Sequence, residues 1–218
     1  MQNPHKYILN NQTFWLSPER CIYWEEQKAL ILSDLHFGKT GHFRKSGIAV
    51  PQKVNKEDLQ RLLHQIQFFK PEQVIVVGDL FHSTANKELE LFLKWRNDFP
   101  HLKVHLVKGN HDILKKKWYE DAGIIVHEDC LTIGDFSFMH DVDGCPEQGP
   151  DHYYFTGHIH PGVSISGMGR QSLKFPCYYF SDQYAVMPAF SRFTGLAMIR
   201  PKRNENVFAI VEDKVIPF

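Results

Sequence analysis

Cysteine is scarce in this chain: four in 218 residues (Cys21, Cys130, Cys145 and Cys177), none of them spaced as a CxxC pair. That excludes a disulfide scaffold and a cysteine-bound structural zinc, and it fits reduced thiols in a cytoplasmic protein. Long apolar runs are absent. No stretch approaches the ~18 uninterrupted apolar residues of a membrane span, so no membrane partner is expected. Met1–Asn10 has no basic start followed by an apolar core, and no signal peptide is expected. Net charge is missing too, with 25 Lys and Arg against 25 Asp and Glu, which excludes a uniformly basic nucleic-acid binder. Repeats, linkers and low-complexity tracts are also lacking. One domain over residues 1–218 is the simplest organisation.

Histidine, by contrast, is abundant, 13 in all. Many of these stand where a short apolar run stops. Five runs read as buried strands: Ala29–Leu32, Val74–Val77, Val104–Val107, Phe136–Met139 and Tyr153–Phe155. Directly after them come Asp34-Leu35-His36, Gly78-Asp79-Leu80-Phe81-His82, Gly109-Asn110-His111-Asp112, His140 and Gly157-His158-Ile159-His160. Ligand sites in α/β sheets form beyond the carboxyl ends of strands, so five clusters in that position predict one shared rim.

Between the runs the pattern turns helical. Gln52–Phe69 places Leu59, Leu62, Leu63, Ile66 and Phe69 on one face, with Asn55 as the expected N-cap. Lys87–Phe99 and Asp112–Asp121 are further expected helices, the last closed by Gly123. From Ile124 the chain reads as short strands, including Ser172–Phe180 and Val207–Val215, with Gly162–Gly169 as a turn. An α/β first half feeding a strand-rich second half follows.

The clusters differ in weight, Gly109-Asn110-His111-Asp112 being more specific than Asp-x-His or His140. Asp-x-His and Gly-Asp occur in many loops, Asn110 suits a helix N-cap, and a lone His140 is ordinarily structural. Two imidazoles at alternate positions, His158 and His160, point to the same side in extended geometry and resemble metal ligands more than core residues. Together the clusters supply imidazole, carboxylate and an amide oxygen, without thiolate. That donor set suits Mn, Fe, Ni or Zn. Two such ions ~3.5–4 Å apart are the standard device for phosphate-ester hydrolysis, with a shared water as the expected nucleophile.

These five clusters, in this order from Ile31 to Pro161, resemble the calcineurin-like metallophosphoesterase superfamily. The resemblance implies a four-layer α/β/β/α sandwich, two mixed β-sheets flanked by helices. It implies that Asp34, His36 and His160 hold one divalent ion and Asn110, His140 and His158 the other. Asp79 bridges them, His111 is the catalytic imidazole and His82 supports it. His82 and Ser83 stand where phosphoprotein phosphatases carry Asp-Arg, which points away from those enzymes and toward diesters. Gly78-Asp79-Leu80-Phe81-His82 is similar to the SbcD-type repair nucleases.

Flanking segments extend the likeness. Asp34 to Lys39, Phe43-Arg44, Gly47, Pro51, Gly169-Arg170, Pro176-Cys177 and Met187-Pro188-Ala189-Phe190 through Gly195 resemble the ligase-associated DNA-damage-response endonucleases. That family's association implies a repair role beside an ATP-dependent DNA ligase and a helicase-like protein. Arg44, Arg170 and Arg192 lie in these segments and are candidate phosphate contacts, because Arg binds phosphate bidentately. Lys115–Lys117 beside Trp118 and Tyr119 suit a nucleic-acid strand, or simply a solvated helix face. Five lysines against one aspartate in His101–Trp118, and nine acidic residues without Lys or Arg in Tyr119–Asp151, can steer a polyanion. The leading expectation is a manganese-dependent DNA endonuclease. A nucleotide or cyclic-nucleotide phosphodiesterase and a non-catalytic scaffold are the alternatives.

Overall fold

The computed structural model describes residues 3–39, 53–82, 86–144, 152–167 and 172–218. The first half builds a seven-stranded sheet. Strands β1 (His5–Leu9), β2 (Gln12–Leu16) and β3 (Ile22–Trp24) form an antiparallel meander that meets β4 (Ala29–Leu32). Helix α1 (Lys53–Phe69), β5 (Gln73–Val77), α2 (Asn86–Asn97), β6 (Lys103–Val107), α3 (Lys116–Asp121) and β7 (Ile124–His127) follow, and β4 to β7 run parallel. All four residues of β4 and four of the five in β5 are buried. This is the continuous Val/Ile/Leu run of a strand covered on both faces.

The second half builds a nine-stranded sheet from β8 (Leu131–Ile133), β9 (Phe136–Phe138), β10 (Tyr153–Thr156), β11 (Pro161–Ser166), β12 (Ser172–Phe180), β13 (Tyr184–Val186), β14 (Ala197–Met198), β15 (Asn206–Val211) and β16 (Lys214–Pro217). It too is mixed: β10 pairs parallel with β9 and β13, whereas β12 is antiparallel to β11, β13 and β15.

The sheets stack on an aromatic core. Phe14, Trp24, Ile31, Ile75, Val77 and Val107 of the first meet Phe136, Phe138, Phe155, Tyr178 and Phe180 of the second. Burying each large side chain contributes about 1.5–3 kcal/mol. Cβ alternation sends Leu30, Leu32, Val74, Val76, Val104 and Leu106 to the other face, under Leu59, Leu62 and Ile66 of α1, Leu89 and Phe92 of α2 and Tyr119 of α3. Among the described residues, all three α-helices thus pack on the first sheet. The sandwich of two mixed sheets stands as expected, with the three described helices on the outer face of the first sheet.

Four local expectations are corrected. Asn55 lies inside α1, which begins at Lys53, and is not its cap. The third helix starts at Lys116 rather than Asp112, because the Asp112 carboxylate instead accepts the Gly109 and Phe81 N–H groups. Most of the expected Gly162–Gly169 turn is strand β11, held by its ladder with β12. Val207–Val215 is a hairpin, β15 and β16, that turns at Glu212 with φ 54°.

Candidate metal centre

The pairing of β4 with β5 continues past both strand ends. Asp34 N donates to Gly78 O (3.1 Å), His36 N to Asp79 O (2.8 Å) and His82 N to Phe37 O (3.0 Å), so the two ligand-bearing loops lie side by side. The loop after β6 joins them through His111 N, which donates to Asp79 Oδ1 at 2.9 Å. The second sheet adds its own rim: Gly157 N donates to His140 O at 3.0 Å, and His158 N donates to Asp34 Oδ2 at 3.1 Å. All five motifs therefore meet at one edge of the sandwich.

Two triads result. The ligand atoms of Asp34, His36 and His160 lie within 4.8 Å of one another, and so do those of Asp79, His140 and His158. In the first, His160 Nε2 is 3.2 Å and His36 Nε2 3.7 Å from Asp34 Oδ1. In the second, His140 Nε2 lies 3.4 Å from Asp79 Oδ2 and 3.2 Å from His158 Nδ1. Asp79 Oδ2 is also 3.9 Å from His36 Nδ1, which places this carboxylate between the triads. Asn110 is exposed and lines an open cavity of about 260 Å³ together with His140 and His158. The His82 and His111 rings are 4.3 Å apart, and His36 lies 5.4 Å from the first and 5.5 Å from the second.

The backbone reaches this arrangement through left-handed turns. Asp34, His36, Asp79, His158 and His160 all have positive φ, between 48° and 68°. Such residues cost of order 1 kcal/mol each and gather at functional sites. The same turns correct the same-side reading of His158 and His160. The segment is not extended, and the two imidazoles part into different triads. Two glycines make room. A Cβ on Gly78 (φ 79°) would lie 1.9 Å from His140 Nδ1, and one on Gly109 would lie 2.2 Å from Asp79 Oδ1.

Burial acts on every charge here. It works to raise the Asp34 carboxyl, but His160, His140 and Ser33 outweigh it and hold the group below its ordinary value. Burial opposes Asp79 as well, yet the bond and charge of His140 and the His111 N–H bring it down to about 2. His140 rises to about 9 against its own burial, through Asp79 and Asp34. Burial pushes His36 down to about 3, so the ring stays neutral with one nitrogen free to ligate. Ionised Asp34 and Asp79 and neutral His36 are the states that metal binding needs, whereas His140 has to give up its proton when a cation takes its place beside Asp79.

The residues fit divalent cations on three counts. Asp34 Oδ1 and His36 Nδ1 are buried without a hydrogen-bond partner among the described residues. The Nε2 atoms of His36 and His160 face each other at 3.4 Å, an arrangement that calls for a proton or cation between them. The donors are imidazole and carboxylate, the set of a borderline metal rather than a thiolate site.

Arg44 and Arg170 lie outside the described residues. Arg192 is exposed and its guanidinium lies 3.0 Å from Glu19 Oε2. Lys115, Lys116 and Lys117 are exposed, while Trp118 packs edge-on against Phe81 at 4.9 Å.

Two supporting residues escaped the sequence. Asp112, buried and raised to about 7 chiefly by that burial, ties the loop after β6 to the loop after β5 through Gly109 N (2.9 Å) and Phe81 N (3.1 Å). Its position in the Gly-Asn-His-Asp run was the available signal. Ser33 Oγ lies 2.5 Å from Asp34 Oδ2 and 2.7 Å from Val77 O, orienting the first carboxylate. Nothing in the sequence marked it.

No curated protein matches the chain. Among solved structures it is similar to the Pseudomonas putida nuclease MPE, with 28% identity and a TM-score of 0.83 over 99% of this chain and 100% of that one. The family model of the calcineurin-like phosphoesterases matches residues 28–181. With that match over a rim of two imidazole–carboxylate triads, the chain belongs to the calcineurin-like phosphoesterases and is a metal-dependent hydrolase.

Proposed function

We propose that the chain is a manganese-dependent DNA endonuclease with a role in DNA repair. The observation that carries the chemistry is the pair of triads with Asp79 between them. Asp34, His36 and His160 would hold one cation and Asn110, His140 and His158 the other, with the Asp79 carboxylate lying between the two triads. Bound there, two divalent cations supply Lewis acidity to the phosphate and activate an attacking water. The protein fixes the ligands through its left-handed turns. His111, anchored to Asp79 by its own N–H, presents an imidazole to the phosphate oxygens or the leaving group. His82 packs against that ring and steadies it. One or more of Arg44, Arg170 and Arg192 contacts substrate phosphate.

DNA as the substrate is supported by the likeness to a solved nuclease over the full chain. Manganese rests on the imidazole–carboxylate donor set, a cytoplasmic location on the sparse cysteines without a CxxC pair, and partnership with an ATP-dependent DNA ligase and a helicase-like protein on the family resemblance. The test is cleavage of closed circular single-stranded DNA with Mn²⁺, run beside a small chromogenic diester. Linearised circles with wild type, and none with Asp79→Asn, support the assignment. Hydrolysis of the small diester with every DNA form left intact would overturn it in favour of a nucleotide phosphodiesterase.

A further inference from the structure

The segment after β13 crosses from one sheet to the other and ends on a metal-facing residue. Met187 N donates to Thr156 O on the second sheet (2.8 Å). Ala189 then pairs with Ser33 as an isolated parallel bridge. Phe190 N donates to Ser33 O (2.8 Å) and Ser191 N to Asp34 O (3.2 Å). Asp34 thus has its left-handed backbone, φ 54°, gripped from outside its own strand.

Two guanidinium groups hold the far side of that segment. Arg20 Nη1 donates to Ala189 O (3.3 Å) and Ser191 O (3.0 Å), and Arg61 Nη1 donates to Phe190 O (3.0 Å). Three consecutive buried carbonyls are therefore taken by arginine. Arg61 also lies over the Phe190 ring at 4.4 Å. It is fixed in turn by Glu19 Oε2 (2.7 Å), Asp58 Oδ1 (2.7 Å) and Glu19 O (2.8 Å). The Asp58 carboxylate accepts from the Ser191 hydroxyl and the Arg192 N–H as well. Arg61 is 9% exposed and Asp58 4%, so neither group competes with water for these bonds.

We propose that Arg61, assisted by Arg20, is a positioning residue for the first metal. It acts through the backbone of residues 189–191 to hold the Asp34 carboxylate against His36 and His160. Arginine suits the task because its rigid planar fork presents five donors at fixed angles to carbonyls and carboxylates, where lysine offers one compact point charge. Without Arg61 the Phe190 carbonyl and the Asp58 carboxylate lose their guanidinium donor, and without Arg20 the carbonyls of Ala189 and Ser191 do; either loss lets Asp34 relax from its left-handed turn. The triad of Asp79, His140 and His158 makes no bond to this segment in the contacts above, so the two metals respond unequally. The proposal rests on the metal-centre assignment.

The experiment is titration of metal-stripped protein with Mn²⁺, followed by electron paramagnetic resonance and by thermal unfolding without metal. Wild type is expected to bind two ions and to give the multiline signal of a coupled pair. Arg61→Met is expected to keep one ion at wild-type affinity and to weaken the other about 10- to 100-fold. The six-line spectrum of a single ion then replaces the coupled signal at sub-saturating metal. Arg61→Lys is expected to fall between the two. Two ions at wild-type affinity in Arg61→Met overturn the proposal, as does equal weakening of both ions in step with a lowered Tm. If Arg61→Met does not fold, Arg20→Lys decides by the same split. Fewer than two ions in wild type overturns the metal-centre assignment itself, and the proposal with it.

Discussion

The Nε2 atoms of His36 and His160 stand 3.4 Å apart although the two residues leave different sheets, one after β4 and the other between β10 and β11. Two ring nitrogens at that distance need a proton or a cation between them, and a divalent ion can take that place. Metal is therefore expected to stabilise the fold as well as to serve catalysis. At 100 times its Kd, a ligand bound only by the native state adds about 2.7 kcal/mol, or about 5–10 °C in Tm for a chain of this size. Thermal unfolding with and without Mn²⁺ measures it, and superimposable curves would count against the centre.

Asp79→Asn is expected to cost more than either peripheral ligand. The amide keeps the shape but loses the charge that faces His140 and His36. Activity is expected to fall at least about 100-fold, with both ions weakened in calorimetric titration. Loss of one ion alone would show that Asp79 belongs to a single triad.

His111→Ala separates chemistry from binding. The side chain lies beside His36 and His82, and its tie to Asp79 runs through the backbone N–H, which alanine retains. A fall in kcat of about 10²–10⁴-fold is expected, with two ions still bound. A variant that loses its metal would make His111 a ligand instead.

Gly78→Ala is expected to disable the second triad. The new Cβ would lie 1.9 Å from His140 Nδ1 on a backbone at φ 79°. The backbone alone costs about 1–3 kcal/mol, and His140 has to leave. A lowered Tm together with loss of one bound ion is the expected pair of results. A variant that binds both ions would contradict the packing described.

A different pair of histidines sets part of the acid stability. His105 Nδ1 and His127 Nε2 lie 3.1 Å apart on β6 and β7. Burial, the largest cause for each, holds both pKa values below 6.5. The unfolded chain then binds more protons in that range, so the stabilisation is complete above about pH 6.5 and is lost as pH falls through the folded values. His127→Gln is expected to flatten the dependence. Urea midpoints at about pH 5.5 and about pH 7.5 test this, and equal slopes in both proteins would refute it.

Much of this was legible because the chemistry sits at strand ends. Ala29–Leu32 is a strand bounded as expected, and each of the five apolar runs ends where its ligands begin. What failed was whatever a distant partner decides. Pro161–Ser166 carries glycine and serine and reads as a turn, but the ladder to β12 makes it a strand. Asp112 looks like the start of a helix until the N–H groups of Gly109 and Phe81 claim its carboxylate. The alternation of His158 and His160 presumed extended backbone, and both residues instead have positive φ, 68° and 52°. The bond from Ser191 N to Asp34 O spans 157 residues of chain, and local pattern carries no trace of it.

The division of the centre between two sheets bears on how the chain could be cut. A break between β7 and β8 would leave Asp34, His36, Asp79, Asn110 and His111 on one fragment and His140, His158 and His160 on the other. Neither fragment would own a whole triad. Two such pieces could regain activity only by docking, and the divalent ion would be part of the joint between them.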